Sequence, residues 1–164
     1  MATAIFYASS TGNTEIISKE ISKELGDVEL VDIADNGVSG INDYENVIFG
    51  IATWGDGELQ DAWDEEWDNF KGIDFSNKTV AILGLGDQEG YYETFVDGMR
   101  AIYDIVLKNN ARVVGRTSID GYEFAASQAV IDDMFIGLVI DQNNQKDLTQ
   151  ERINNWCSEL LNLE

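Results

Sequence analysis

The chain has 164 residues, 44% of them hydrophobic, which suits one compact α/β or α+β domain, residues 1–164, with a real core. Its 31 acidic against 10 basic residues give a net charge of -21, which argues against nucleic acid or an anionic membrane surface as partner and favours a basic protein. With no histidine and a single Cys157, a structural zinc cluster, histidine general-base chemistry and an internal disulfide are excluded.

Thr3 to Ala8 is a continuous β-prone run with the look of a parallel strand buried on both faces. The N-terminus carries no basic region before it, and no apolar run approaches the roughly 18 residues of a membrane span. The chain therefore reads as soluble and cytoplasmic. Ile16, Ile17, Ile21 and Leu25 follow at helical spacing, and Gly26 supplies a stop. Val28 to Ile33 predicts a second strand and Glu45 to Ala52 a third.

From Gln60 to Phe70, Trp63, Trp67 and Phe70 recur at i, i+4 and i+7 among acids, which predicts an amphipathic helix with both tryptophans in the core. Lys78 to Gly84 predicts a fourth strand, and Thr94 to Leu107 a helix with Phe95, Met99, Ile102, Tyr103 and Val106 inward. Arg112 to Ser118 and Phe135 to Ile140 both read as strands, separated by a polar segment. Thr149 to Leu163 predicts a last helix with a hydroxyl cap and Ile153, Trp156, Leu160 and Leu163 on one stripe. Proline is absent, so Gly, Asn, Asp and Ser must make the turns.

Alternating strands and helices predict a doubly wound parallel sheet in three layers, with five strand positions and the fifth broken by an insertion or flanked by a small sixth. Ligands of such sheets bind at the carboxyl ends of the strands. The loops there read S-S-T-G-N-T, T-W-G-D-G-E-L-Q, L-G-D-Q-E-G-Y-Y and I-D-G-Y-E-F. In the first, Ser9, Ser10, Thr11 and Thr14 place up to four hydroxyls around Gly12 at a helix N-terminus, a cradle for one phosphate. It lacks the lysine and first glycine of the triphosphate loop and the glycine spacing of the dinucleotide fingerprint. Trp54 and Tyr91, on neighbouring Gly-rich loops, suggest a slot for a flat ring joined to that phosphate by a spacer.

On F-Y-A-S-S-T-G-N-T, T-W-G-D-G-E-L-Q and G-L-G-D-Q-E-G-Y, the chain resembles the flavodoxins over essentially its whole length. Flavodoxins are themselves the standard example of strand order 2-1-3-4-5 with FMN at the switch point, so the resemblance implies that order here. It also implies that Ser9, Ser10, Thr11, Gly12, Asn13 and Thr14 wrap the FMN phosphate and that Thr53 and Trp54 flank the inner face of the ring. Tyr91 would lie on the outer face, and Gly55, Asp56 and Gly57 near the ring nitrogen that takes up a proton on one-electron reduction. Leu85, Gly86, Asp87 and Gln88 would meet the pyrimidine edge, and Asp120 the ribityl chain. The segment from about Ile119 to Phe135 resembles the insertion of the long-chain class.

The implied function is a low-potential one-electron shuttle passing through oxidised, semiquinone and hydroquinone flavin, not an enzyme. Implied partners are redox proteins such as ferredoxin-NADP reductase, photosystem I or nitrogenase reductase, met by a monomer through an acidic rim of Asp56, Glu58, Asp61, Asp64, Glu65, Glu66 and Glu89. One acid about 10 Å from the ring, at an effective dielectric of about 40, opposes added negative charge by roughly 0.8 kcal/mol. For one electron that is on the order of 35 mV. A flavin-dependent quinone or azo-dye reductase would need open space where Tyr91 is expected. A receiver domain would need acids and a lysine at positions held here by Ser9, Ser10, Thr53, Trp54, Thr117 and Ser118. A calcium loop at Asp141 to Asp147 fails because Lys146 replaces the required glycine, so that stretch is expected to be a solvated turn.

Overall fold

The structure is a computed structural model, and it describes residues 2–9, 11–53, 55 and 59–162. The chain forms β1 (Thr3–Tyr7), α1 (Asn13–Glu24), β2 (Glu29–Asp32), the single turn α2 (Ile33–Asn36), β3 (Asn46–Ala52), α3 (Asp61–Lys71) and β4 (Thr79–Leu85). It continues through α4 (Gly98–Lys108), the short strands β5 (Arg112–Val113), β6 (Thr117–Ser118), β7 (Val130–Ile131), β8 (Met134–Phe135) and β9 (Leu138–Ile140), and ends in α5 (Thr149–Leu161). The sheet runs β2-β1-β3-β4-β5, every pair parallel, with β9 also paired to β4.

The central strands are buried almost continuously, and successive side chains go to opposite faces of the sheet. Ala4 and Phe6, Val47, Phe49 and Ile51, and Val80 and Ile82 join one core with Trp63 and Phe70 of α3 and Met99, Ile102 and Val106 of α4. Ile5, Ile48, Ala81, Leu83 and Leu85 join the other, with Ile17 and Ile21 of α1 and Ile153 and Trp156 of α5. Phe49 is the hub of the first core, with edge-on contacts to Trp63, Phe70 and Phe75 at centroid distances of 5.7, 5.3 and 6.0 Å. Trp63 is fully buried and donates from Nε1 to Gly50 O at 3.1 Å, while Trp67 is half-buried and packs against it.

The fifth strand position is shared. β5 pairs with the start of β4 (Thr79 opposite Arg112), and β9 pairs with its end (Leu85 opposite Ile140). The break comes where Gly115 turns at φ 85, after Val114 N has donated a last bond to Val80 O at 2.9 Å. Residues between form a small antiparallel sheet, β6-β8-β7, fastened to the core through Phe135 and Tyr122, whose rings meet edge-on at 4.9 Å. The run expected from Arg112 to Ser118 is therefore two short strands in different sheets.

Other boundaries also differ from the sequence reading. The helix expected from Thr94 begins at Gly98, because Val96 is held at φ 50, a left-handed conformation that no helix accommodates. Its Phe95 is buried all the same, in the turn before the helix. Thr149 does not cap α5: Leu148 occupies the cap position, and the Thr149 hydroxyl bonds Gln142 Oε1 at 2.5 Å. Leu163 lies outside the described residues. Among the described residues no helix is long and apolar enough to cross a membrane.

Candidate functional site

The sheet order brings the ends of β1, β3, β4 and β9 side by side, and backbone bonds fasten the loops that leave them. Ala8 N donates to Gly50 O (3.3 Å), Thr53 N to Leu85 O (2.9 Å) and Gly86 N to Ile140 O (3.2 Å).

After β1, Gly12 adopts φ 91 and ψ -12 directly ahead of α1, and no described side chain caps the helix. Only glycine enters this region freely. The amide of Ile16 returns to Gly12 O at 3.1 Å, which leaves the amides of Asn13, Thr14 and Glu15 without intrahelical partners. Ser9 Oγ accepts from Gly12 N at 2.9 Å and so closes the turn, and as a hydroxyl it carries a donor proton as well. Thr11 is exposed; Thr14 is buried, with its methyl against Gly50. A Cβ on Gly12 would meet nothing within 4 Å, so there is open space beside the turn at this residue. Unpaired amides, a helix dipole and neutral hydroxyls around an open space suit an anion such as a monophosphate. Beside this turn Tyr7 donates to Glu15 at 3.4 Å; burial and the Glu15 carboxylate push its phenol up to about 12.

After β3, Thr53 is buried, and its hydroxyl accepts from Gly98 N at 2.9 Å, spending its acceptor on the start of α4. Gly55 stands at φ 68 with open space where a Cβ would be, and its carbonyl accepts from Thr94 Oγ1 at 2.6 Å. Gln60 closes the loop by accepting from Ala52 N at 2.8 Å through its side-chain oxygen. Ser10, Trp54, Asp56, Gly57 and Glu58 lie outside the described residues.

After β4, Gly86 has no room for a larger side chain: an added Cβ would lie 2.9 Å from Val96 Cγ1 and 3.2 Å from the Phe95 ring. Asp87 accepts from the amides of Glu89 (3.1 Å) and Gly90 (2.8 Å) and from Asn143 Nδ2 and Asn144 Nδ2. Burial alone would raise the Asp87 carboxyl, but the donors from Gly90, Asn144, Asn143 and Glu89 outweigh it and hold it below the usual carboxylate value. Tyr91 N donates to Asp87 O at 2.9 Å, and the side chains of Tyr91 and Tyr92 are 38% and 50% exposed, on the surface of the same loop. The carbonyl of Tyr92 is held by the amides of Ala125 and Ala126, so the excursion between β6 and β7 braces this loop.

Two residues of the site went unseen in the sequence. Asp141, expected in a solvated turn, is completely buried and bonded to Gln88; Thr94, expected inside a helix, is a loop residue gripping Gly55. The contacts that tie them to the other loops have no local signature, because Gln88 lies 53 positions from Asp141 and Gly55 lies 39 from Thr94. Asp120 is exposed on the excursion, its amide bonded to Ser118 Oγ, and among the described residues no hydrogen bond joins it to the other loops. Of the rim acids, Asp61, Asp64, Glu65 and Glu89 are exposed, whereas Glu66 is spent on Val38 N (3.0 Å) and Asn69 Nδ2 (2.9 Å).

The family model for flavodoxin matches residues 5–156. The chain is 43% identical over 159 residues to the flavodoxin of Haemophilus influenzae, covering 95% of this chain and 91% of that one. It is 43% identical over 161 residues to flavodoxin 1 of Escherichia coli, covering 96% and 92%. The crystal structure of Fusobacterium nucleatum flavodoxin bound to flavin mononucleotide superposes with a TM-score of 0.94 at 38% identity, over 98% of this chain and 97% of that one.

Proposed function

This chain belongs to the flavodoxin family, and on that premise we propose which of its residues hold flavin mononucleotide (FMN) and how they tune it. The protein is an FMN-based one-electron carrier that serves redox proteins, not an enzyme that turns over a substrate. We read residues 1–164 as one domain of the long-chain class, a reading supported by the excursion that splits the fifth strand position.

The phosphate belongs at the turn Ser9, Ser10, Thr11, Gly12, Asn13 and Thr14. The single observation that carries this reading is the first turn of α1, which no described side chain caps, with Gly12 at φ 91 and nothing within 4 Å of an added Cβ. Backbone amides and the Ser9 and Thr11 hydroxyls donate there without a fixed cation, while buried Thr14 serves mainly to seat α1 against β3. Thr53, Trp54, Gly55, Asp56 and Gly57 form one wall of the ring slot and Tyr91 the other; Leu85, Gly86, Asp87 and Gln88 form its floor, and Asp120 approaches the ribityl chain.

Bound FMN supplies two successive one-electron couples, the first of which can take up a proton. Gly55 presents the carbonyl that can accept a hydrogen bond from the protonated ring nitrogen, once it leaves Thr94. The acidic rim and the cation-free phosphate turn disfavour the extra negative charge of the second couple, and Tyr91 screens the ring from water. We assign partners of the kind represented by ferredoxin-NADP reductase, photosystem I or nitrogenase reductase, a monomeric state and a cytoplasmic location; exposed Asp61, Asp64, Glu65 and Glu89 support a basic docking face. Flavin content tests the reading. Purified protein from riboflavin-replete cells should release one FMN per chain on denaturation; release of no flavin, or of a dinucleotide, contradicts it.

A further inference from the structure

Asp141, the first residue after β9, is 0% exposed, yet it is a carboxylate at the edge of the sheet where an aliphatic side chain would be buried at less cost. Five donors surround it. Its Oδ1 accepts from the amides of Asn143 and Asn144, both at 3.1 Å, and its Oδ2 accepts from Gln88 N (3.0 Å), Gln88 Nε2 (2.8 Å) and Asn144 Nδ2 (2.8 Å). All five are neutral amides, and among the described residues no lysine or arginine forms an ion pair with it.

The bonds have a direction. Two of the five end on one residue, Gln88, 53 positions earlier in the loop after β4. Gln88 is itself buried and passes the restraint on, its Oε1 accepting from Glu123 N at 2.6 Å. Asn144 Nδ2 reaches Asp87 Oδ1 at 2.8 Å as well as Asp141, so the same cluster also fixes the turn that presents Tyr91. Both side-chain oxygens of Asp141 accept, Oδ1 from two donors and Oδ2 from three, whereas a side-chain amide at this position would bring a single acceptor oxygen.

We propose that Asp141 is a positioning residue for the flavin ring: its carboxylate sets the Leu85–Tyr91 loop, through both amides of Gln88, in the shape that receives the ring before any ligand arrives. This rests on the reading of that loop as the ring's floor and outer wall. An asparagine offers one acceptor oxygen, so Asp141→Asn must turn an NH2 group toward either the Gln88 side or the Asn143–Asn144 amides. The loop is then released on one side, while the turn at Ser9–Thr14 is untouched.

The test is titration of the full-length apoprotein with FMN and with riboflavin, which lacks the phosphate, for wild type, Asp141→Asn and Asn144→Ala, under conditions where circular dichroism shows each chain folded. Asp141→Asn should lose about tenfold or more in affinity for both flavins, the equivalent of one hydrogen bond to a charged group, with their affinity ratio unchanged. Asn144→Ala should lose less, in the same direction. A carboxylate that only stabilised the fold would lower the melting temperature and leave the riboflavin affinity of folded protein at its wild-type value, which overturns the proposal. If Asp141→Asn does not fold, Asn144→Ala decides alone, and unchanged riboflavin binding overturns it. Wild-type protein that bound neither flavin would instead sink the functional reading beneath it.

Discussion

The hydroxyl of Thr94 donates to the carbonyl of Gly55 at 2.6 Å, joining the loop after β4 to the loop after β3. The carbonyl assigned to the protonated flavin nitrogen is thus already engaged, and turning toward the ring means giving up that bond. Thr94→Val keeps the shape and removes the donor. A hydrogen bond of this kind contributes about 1 kcal/mol, or about 40 mV for a one-electron couple. The first reduction potential should rise by about that much, measured by redox titration; a potential unchanged or lowered would show that Thr94 does not hold the carbonyl back.

Gly55 itself carries the second expectation. Space is open around its missing Cβ, so the constraint is conformational: at φ 68 a β-branched residue is strained by about 1–2 kcal/mol or more. Gly55→Val should therefore reduce the accumulation of half-reduced flavin in an anaerobic titration with little change in the oxidised absorption spectrum. Equal accumulation in the variant would remove Gly55 from the mechanism.

Ser9→Ala separates the phosphate turn from the ring loops. The substitution leaves Gly12 N without its acceptor and removes one neutral donor from the turn. Affinity for FMN should fall by about tenfold or more, since hydrogen bonds to charged groups contribute about 1.5–3 kcal/mol. Riboflavin affinity should stay at the wild-type value. Equal losses for both ligands would place Ser9 outside the phosphate site.

Asp97 bears on stability. Burial raises its carboxyl, opposed only in part by the Gln128 amide that it accepts at 2.7 Å. An acid whose folded value lies above its unfolded value, about 3.9, binds protons on folding, so its contribution to stability declines as pH rises from the unfolded value through the folded one. Asp97→Asn retains an oxygen for Gln128 and removes that decline. Melting temperatures of variant minus wild-type apoprotein should become more positive between pH 3 and pH 7; a difference independent of pH would refute the assignment.

What the sequence disclosed and what it hid follow from the range of the interactions involved. The continuous apolar runs at Val47–Ala52 and Val80–Leu85 are a property of neighbouring residues, so the strands of the sheet were legible, whereas the sorting of Phe49 and Ile48 into different cores appears only in the fold. The cap-like Thr149 misled because the turn Lys146–Leu148 precedes it and gives the cap position to Leu148. The start of α4 was hidden by Val96, a residue with no local reason to turn left-handed. Type and place singled out Gly12 as a turn glycine and Tyr91 as a loop aromatic, and the structure has Gly12 at φ 91 and Tyr91 on the surface of its loop. Asp141 did not, because D-Q-N-N-Q-K-D has the composition of a solvated turn and its burial depends on Gln88, brought alongside only by the pairing of β9 with β4.

Whether this chain carries electrons singly is decided by a stepwise reductive titration of the holoprotein without oxygen, followed by visible absorption. Two separate one-electron steps are predicted, with a neutral half-reduced flavin accumulating between them and the second potential well below that of free FMN. A single two-electron step, with no half-reduced flavin at any point, would contradict a one-electron role.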